Sequence, residues 1–147
     1  MERSDSSRLA TRFPSAEWFT EYCAAINSSE EHARAAMSWE GDVTFVVEDE
    51  PHKGVPETVR AWMDLYRGMC RGSKLVSQED GERARFVISA PYSRWKDVIQ
   101  GRLDPIRGMR EGKLRLEGDL PAIVAHVEAA KILVGLAASI PTEFPDE

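Results

Sequence analysis

The segment that most restricts the fold is the last apolar one, LPAIVAHVEAAKILVGLAASI, at residues 120–140. Its spacing predicts a single helix of about five turns whose apolar stripe widens until nearly every face is apolar. Such a helix must be covered on several sides or must itself wall a cavity. A bilayer does not supply that cover. The longest apolar stretch, residues 129–140, contains Lys131 and falls well short of the ~20 residues that span a membrane, so no stable membrane insertion is expected.

The cover has to come from the rest of a 147-residue chain, one domain's worth and enough for one core without staples. The 19 Lys and Arg against 25 Asp and Glu give a net charge of −6, which repels polyphosphate and argues against nucleic acid as a partner. Cys23 and Cys70 are too few for a disulfide framework and have no C-x-x-C spacing, so both read as reduced, packed thiols. The start, MERSDSSRLATRFPS, lacks the apolar core of a secretory signal, and a cytoplasmic location is the simplest expectation. Residues 1–12 read as a disordered leader, 13–140 as one domain and 141–147, PTEFPDE, as an acidic tail.

Between leader and last helix the hydrophobic period changes. PSAEWFTEYCAAIN places Trp18, Tyr22 and Ile26 on one helical face behind a Ser15 cap, and SSEEHARAAMSW begins with Ser28 and Glu31 at capping-box spacing. From Gly41 onward, DVTFVVE, the turn-forming DEPHKG and the alternating ETVRAWMDLYRG describe a hairpin. CRGSKLVS and RARFVIS are two further strands, APYSRWKDVIQG returns to helical spacing, and GKLRLEGDL is a last strand. The order is that of an α+β fold with a five-stranded, mostly antiparallel sheet.

No pattern of reactive residues stands above this framework. The glycines at 101, 108, 112 and 118 fit neither G-x-G-x-x-G nor G-x-x-x-x-G-K-[ST], and no G-x-S-x-G occurs. His32, His52 and His126 have no second His or Cys at i+3 or i+4, so no metal is called for. Asp64 lies in a strand beside Trp62 and Tyr66, where a pocket would make it a general base and open water would make it inert. Asp97 reads as part of a solvated helix face and Asp104 as the start of an Asp-Pro turn. What does accumulate is aromatic and adaptable apolar matter: Trp18, Trp39, Trp62, Trp95, Met63, Met69 and Met109.

GRLDP, then GM, then GKLRLEGDL, resembles the most recognisable segment of the sterol carrier protein type two domain, a nonspecific lipid-transfer family. Gly101, Leu103, Asp104, Pro105, Met109, Gly112, Lys113, Leu114, Leu116, Gly118 and Asp119 match its pattern of helix stop, short helix, strand and release into a C-terminal helix. FVISAPYSRWKDVIQG matches the strand and helix before it, and the resemblance extends over about residues 84–140. It implies helices packed on one face of the sheet and an apolar tunnel between them for fatty acyl chains, acyl-CoA, sterols or similar lipids, without a cofactor and without covalent chemistry. It also leaves room for a partner enzyme to which the lipid is presented, and sets no oligomeric state. The terminal FPDE stands where some members carry Ser-Lys-Leu, so their peroxisomal address is absent.

The expected ligand wall follows element by element. Alternation turns Leu114 and Leu116 inward and Lys113, Arg115 and Glu117 toward water. Phe86 and Ile88 come from the preceding strand, Trp95 and Ile99 from the helix after it, Ile106 and Met109 from the short helix, and Val124 and Val127 from the last helix. The alternative is an enzyme acting on a hydrophobic substrate in the same cavity, with Asp64, Tyr66 or His126 as acid or base.

Overall fold

A computed structural model describes residues 9–147. The first eight positions of the expected disordered leader lie outside the described residues. Strand β1, Thr11–Arg12, precedes helix α1, Ala16–Asn27, where the Ser15 hydroxyl accepts the Trp18 N–H as a cap. Helix α2 is Glu30–Ala35, capped by Ser29, which accepts the His32 N–H, rather than by the expected Ser28. Strands β2, Val43–Glu48, and β3, Val59–Tyr66, form the expected hairpin around a 3-10 turn at Pro51–Lys53. Then come β4, Met69–Leu75, a one-turn helix α3, Gln78–Gly81, and β5, Phe86–Pro91. Helices α4, Tyr92–Ile99, and α5, Pro105–Arg110, lead to β6, Arg115–Glu117. The chain finishes with α6, Leu120–Val124, α7, Val127–Ser139, and β7, Thr142–Glu143.

The sheet is five-stranded and mixed, in the order β4-β3-β2-β5-β6. Its pairings are antiparallel except at the centre, where β2 and β5 run parallel with Phe45 opposite Ile88. Once β3 is flanked by β2 and β4, the free edge of β2 is the one β5 can join, and the chain reaches it by crossing over through α3. Asp42 fixes the start of that pairing: one carboxylate oxygen accepts the Trp62 Nε1–H at 2.7 Å and the other the Arg85 N–H at 2.8 Å. On the outer face Thr44 is fully buried and donates its hydroxyl to the Gly81 carbonyl at 2.8 Å, so the small helix α3 seals that side.

The described end of the leader and the acidic tail meet in a short two-stranded sheet. Thr11 and Arg12 pair in parallel with Thr142 and Glu143, and Phe13 and Phe144 are both buried. The tail is anchored again at Asp146, whose Oδ1 accepts the Tyr92 hydroxyl at 2.7 Å and meets Lys96 Nζ at 3.0 Å. Burial raises the Asp146 carboxyl, but the hydrogen bonds from Tyr92 and Lys96 outweigh it and hold the group below the usual carboxylate range. A depressed folded pKa stabilises the docked tail above the ordinary value of 3.8 and loses that contribution as pH falls through the lower, folded one. Replacing Tyr92 by Phe is expected to remove about 2 kcal/mol at pH 7, measured as a lower urea midpoint, with the difference from wild type shrinking as Asp146 is protonated.

Two further expectations are corrected. Cys23 and Cys70 are not reduced thiols: they form a disulfide between α1 and β4, with Cα atoms 5.4 Å apart. The two positions are distant in sequence, and only the packing of α1 along β4 brings them together. The last helix is not continuous either. It breaks between α6 and α7, where the His126 ring folds back and its Nδ1–H donates to the Ala122 carbonyl at 2.9 Å.

Candidate functional site

Between the helices and the inner face of the sheet lies an apolar cavity of about 150 Å³, partly open to solvent. Strand alternation explains its floor. Val43, Phe45 and Val47 of β2, Leu65 of β3, and Phe86 and Ile88 of β5 all point to the same side and line it. Helix α1 supplies Trp18, Phe19 and Tyr22, with Phe13 stacked edge-on against Trp18 at 4.8 Å between centroids. Helix α7 contributes Ala130, Leu133, Val134 and Ala137, spaced i, i+3, i+4 and i+7 on one face. Alanines at both ends of that face leave space that larger side chains would fill.

The tyrosine and tryptophan side chains of the wall carry polar atoms, and each is committed elsewhere. Tyr22 donates its hydroxyl to the Leu133 carbonyl at 2.9 Å, and its burial pushes the phenol well above its ordinary pKa, so it stays a donor. Trp18 Nε1–H goes to Thr142 Oγ1, Trp39 Nε1–H to the Gly41 carbonyl and Trp95 Nε1–H to the Val46 carbonyl, all at 2.8–2.9 Å. His126 is also satisfied: with Nδ1–H donated to Ala122, its Nε2 accepts the Ser38 hydroxyl at 3.0 Å. No Asp, Glu, Lys or Arg among the described residues lines the cavity.

The expected wall residues divide. Phe86, Ile88, Trp95, Ile99, Met109 and Leu114 line the cavity. Ile106 is buried one residue beyond the lining Pro105 but is not itself on the wall. Leu116 sits opposite Ile88 on the edge strand β6, half-buried and outside the cavity. Val124 and Val127, which flank the helix break, also lie outside it, and Ile123 and Ala130 are on the wall instead.

The spacing of Trp18 and Tyr22 gives the inward face of a helix, but nothing in it says that the same face walls a cavity. Phe45 and His32 were likewise invisible as wall residues. The acid and base candidates fare differently from one another. Asp64 is ion-paired with Arg71 at 3.0 Å, and the Arg71 guanidinium lies 4.1 Å over the Tyr66 ring, both away from the cavity. His126 reaches the wall, with both ring nitrogens engaged.

The glycines of the 101–118 segment behave as spacing implies: Gly101, Gly112 and Gly118 take φ of 79°, 77° and 143°. At Gly118 a Cβ would meet Phe86 Cδ1 at 2.7 Å, so the bend into α6 and the placement of a wall residue depend on the same missing side chain.

Fold and site together define an α+β protein whose longer helices cover one face of a five-stranded sheet around an apolar cavity, with the one-turn α3 on the other. The sequence matches the model of the SCP-2 sterol transfer family over residues 19–129, and the chain belongs to that family. A crystal structure of sterol carrier protein 2 is 37% identical, with a TM-score of 0.77 over 86% of this chain and 97% of that one. A solution structure of a conserved hypothetical protein from Thermus thermophilus, described as possibly a sterol carrier protein, is 36% identical, with a TM-score of 0.77 over 88% and 90%. A palmitated sterol carrier relative from Aedes aegypti shares the fold at 12% identity and a TM-score of 0.53, covering 76% of this chain and 90% of that one. No curated protein sequence matches the chain. Family membership supports binding or transfer of hydrophobic lipids, and no helix among the described residues is long and apolar enough to cross a membrane.

Proposed function

We propose that the protein carries a lipid in this cavity and releases or presents it without covalent chemistry. The observation that carries the reading is an apolar cavity with no Asp, Glu, Lys or Arg on its described wall, whose tryptophan N–H and tyrosine O–H groups are already paired with the protein. An empty space of this kind is not free. At about 24 cal/mol per Å³, a void near 150 Å³ forgoes roughly 3–4 kcal/mol of packing. A ligand recovers that loss, and each buried methylene adds about 0.8 kcal/mol, so eight to ten of them supply about 6–8 kcal/mol before ordering costs.

A cavity of about this size holds a benzene-sized group. A full acyl chain or sterol would extend it into a tunnel by spreading the walls, and Met69 and Met109, unbranched and adaptable, are placed to yield. Native mass spectrometry of the purified chain should find copurified lipid, and a fluorescent acyl probe should bind with micromolar affinity or better. A folded protein that shows neither would overturn the reading. At a hundredfold excess over Kd, ligand should add about 2.7 kcal/mol of stability, seen as a rise of roughly 6–10 °C in Tm for a domain of this size. A Tm that ignores saturating probe would mean that the folded chain does not bind it in preference to the unfolded one, and would count against the reading.

A further inference from the structure

We propose that His32 is the polar anchor of the cavity: its Nε2 accepts a hydrogen bond from the ligand, so the preferred occupant is a lipid that presents a hydroxyl donor. The inference rests on the carrier reading and specifies the chemistry of its ligand.

The geometry leads there by elimination. His32 is only 2% exposed and lines the cavity together with Ala36, Gly68 and Met69. Its Nδ1 lies 3.1 Å from the Gly68 carbonyl oxygen, and a carbonyl can only accept, so the proton is on Nδ1 and it donates. In the neutral ring that leaves Nε2 as a lone-pair acceptor. Among the described residues Nε2 has no hydrogen-bond partner, whereas the tryptophan N–H groups, the Tyr22 hydroxyl and both nitrogens of His126 on the same wall all have one. A buried acceptor left unpaired is costly, and a ligand that pairs it gains what a ligand without a donor cannot.

The chain holds this ring in place deliberately. The Ser29 cap fixes the first turn of α2, and Gly68, at φ +87°, lets the β3–β4 turn approach α2 so closely that a Cβ there would sit 2.7 Å from the Ala33 backbone. Only with that approach does the Gly68 carbonyl reach Nδ1 and select the tautomer. Burial lowers the pKa of His32, and the Gly68 hydrogen bond opposes it without reversing the direction, which keeps the ring neutral near pH 7. An ionised carboxylate, which offers only lone pairs, therefore finds no partner at Nε2, while an alcohol or sterol hydroxyl does.

The test displaces a fluorescent acyl probe from the full chain with 1-hexadecanol and with hexadecyl methyl ether, which differ in the donor. The alcohol should bind about tenfold tighter than the ether, and His32→Leu should bring the ratio to about one, with circular dichroism and a cooperative thermal transition certifying the fold of the variant. His32→Gln, which restores an acceptor, should recover part of the preference. An independent readout needs no variant: the Nε2 resonance of ¹⁵N-labelled His32 should shift on adding the alcohol and stay in place with the ether. Equal binding of the two ligands by the wild type, or a preference that survives His32→Leu, overturns the anchor and leaves the carrier intact. Failure of both ligands to bind brings down the carrier reading as well.

Discussion

Replacing Ala130 by Trp should weaken acyl-probe binding at least a hundredfold while shifting Tm by no more than a few degrees. Ala130 stands at one end of the α7 face that continues through Leu133, Val134 and Ala137, and it opens directly on the cavity. An indole there occupies the space a ligand would enter. In a close-packed core an added ring of that size is destabilising by 1–3 kcal/mol or more, because neighbours must leave their rotamer wells. Here it enters a void of about 150 Å³ and recovers packing at about 24 cal/mol per Å³, so the two effects offset each other. The combination discriminates between mechanisms. Loss of binding with a retained Tm places the ligand inside, whereas unchanged probe binding by a folded Ala130→Trp protein would locate the lipid outside the cavity. A titration followed by thermal unfolding of the same samples measures both.

The contrast between α7 and the sheet shows what was legible in the sequence. The strands were readable because alternation is a local signal: Val59, Ala61, Met63 and Leu65 declare one face of β3 whatever pairs with it. The pairing of β2 with β5 was not, because it depends on which strand edge remains free after the hairpins form. The segment from Gly101 to Asp119 was legible in detail, since a positive-φ glycine, an Asp104 cap that accepts the Arg107 N–H at 2.9 Å and an Asp-Pro turn each leave a mark in the sequence. The wall of the cavity was legible where it comes from that segment and its neighbours, as with Met109 and Leu114. It was lost at Val124 and Val127, which flank the break between α6 and α7, because periodicity assumes an unbroken axis. Trp18, Tyr22 and Phe45 were predicted to be inward-facing or apolar, but inward in a sequence means only away from water. Whether the inside is packed or hollow depends on the fit of distant elements, and α1 meets α7 across more than a hundred residues of chain, as the Tyr22 to Leu133 bond shows.

The largest effect on stability is expected from the disulfide, whose two cysteines carry no pairing signal in the sequence. Removing the Cys23–Cys70 disulfide, by the paired Cys23→Ser and Cys70→Ser changes or by reduction, should lower unfolding stability by about 4 kcal/mol, because the sequence separation of 47 closes a long loop in the unfolded chain. The folded state has its own clamp at the same place. Asn27 Nδ2–H donates to the Cys70 carbonyl at 2.8 Å while its Oδ1 accepts the Cys70 N–H at 2.8 Å, so α1 stays tied to β4 without the sulfurs. Native geometry, and with it the aromatic wall that Trp18, Phe19 and Tyr22 present to the cavity, should therefore persist after reduction. The consequence is a dissociation of two properties: the urea midpoint should fall by about 2 M for a typical m-value, while probe affinity below the transition stays within a few-fold of the oxidised protein. An unchanged midpoint would mean that the thiols are unpaired in solution. A midpoint that falls together with probe affinity would mean that the disulfide, and not Asn27, positions α1 over the cavity.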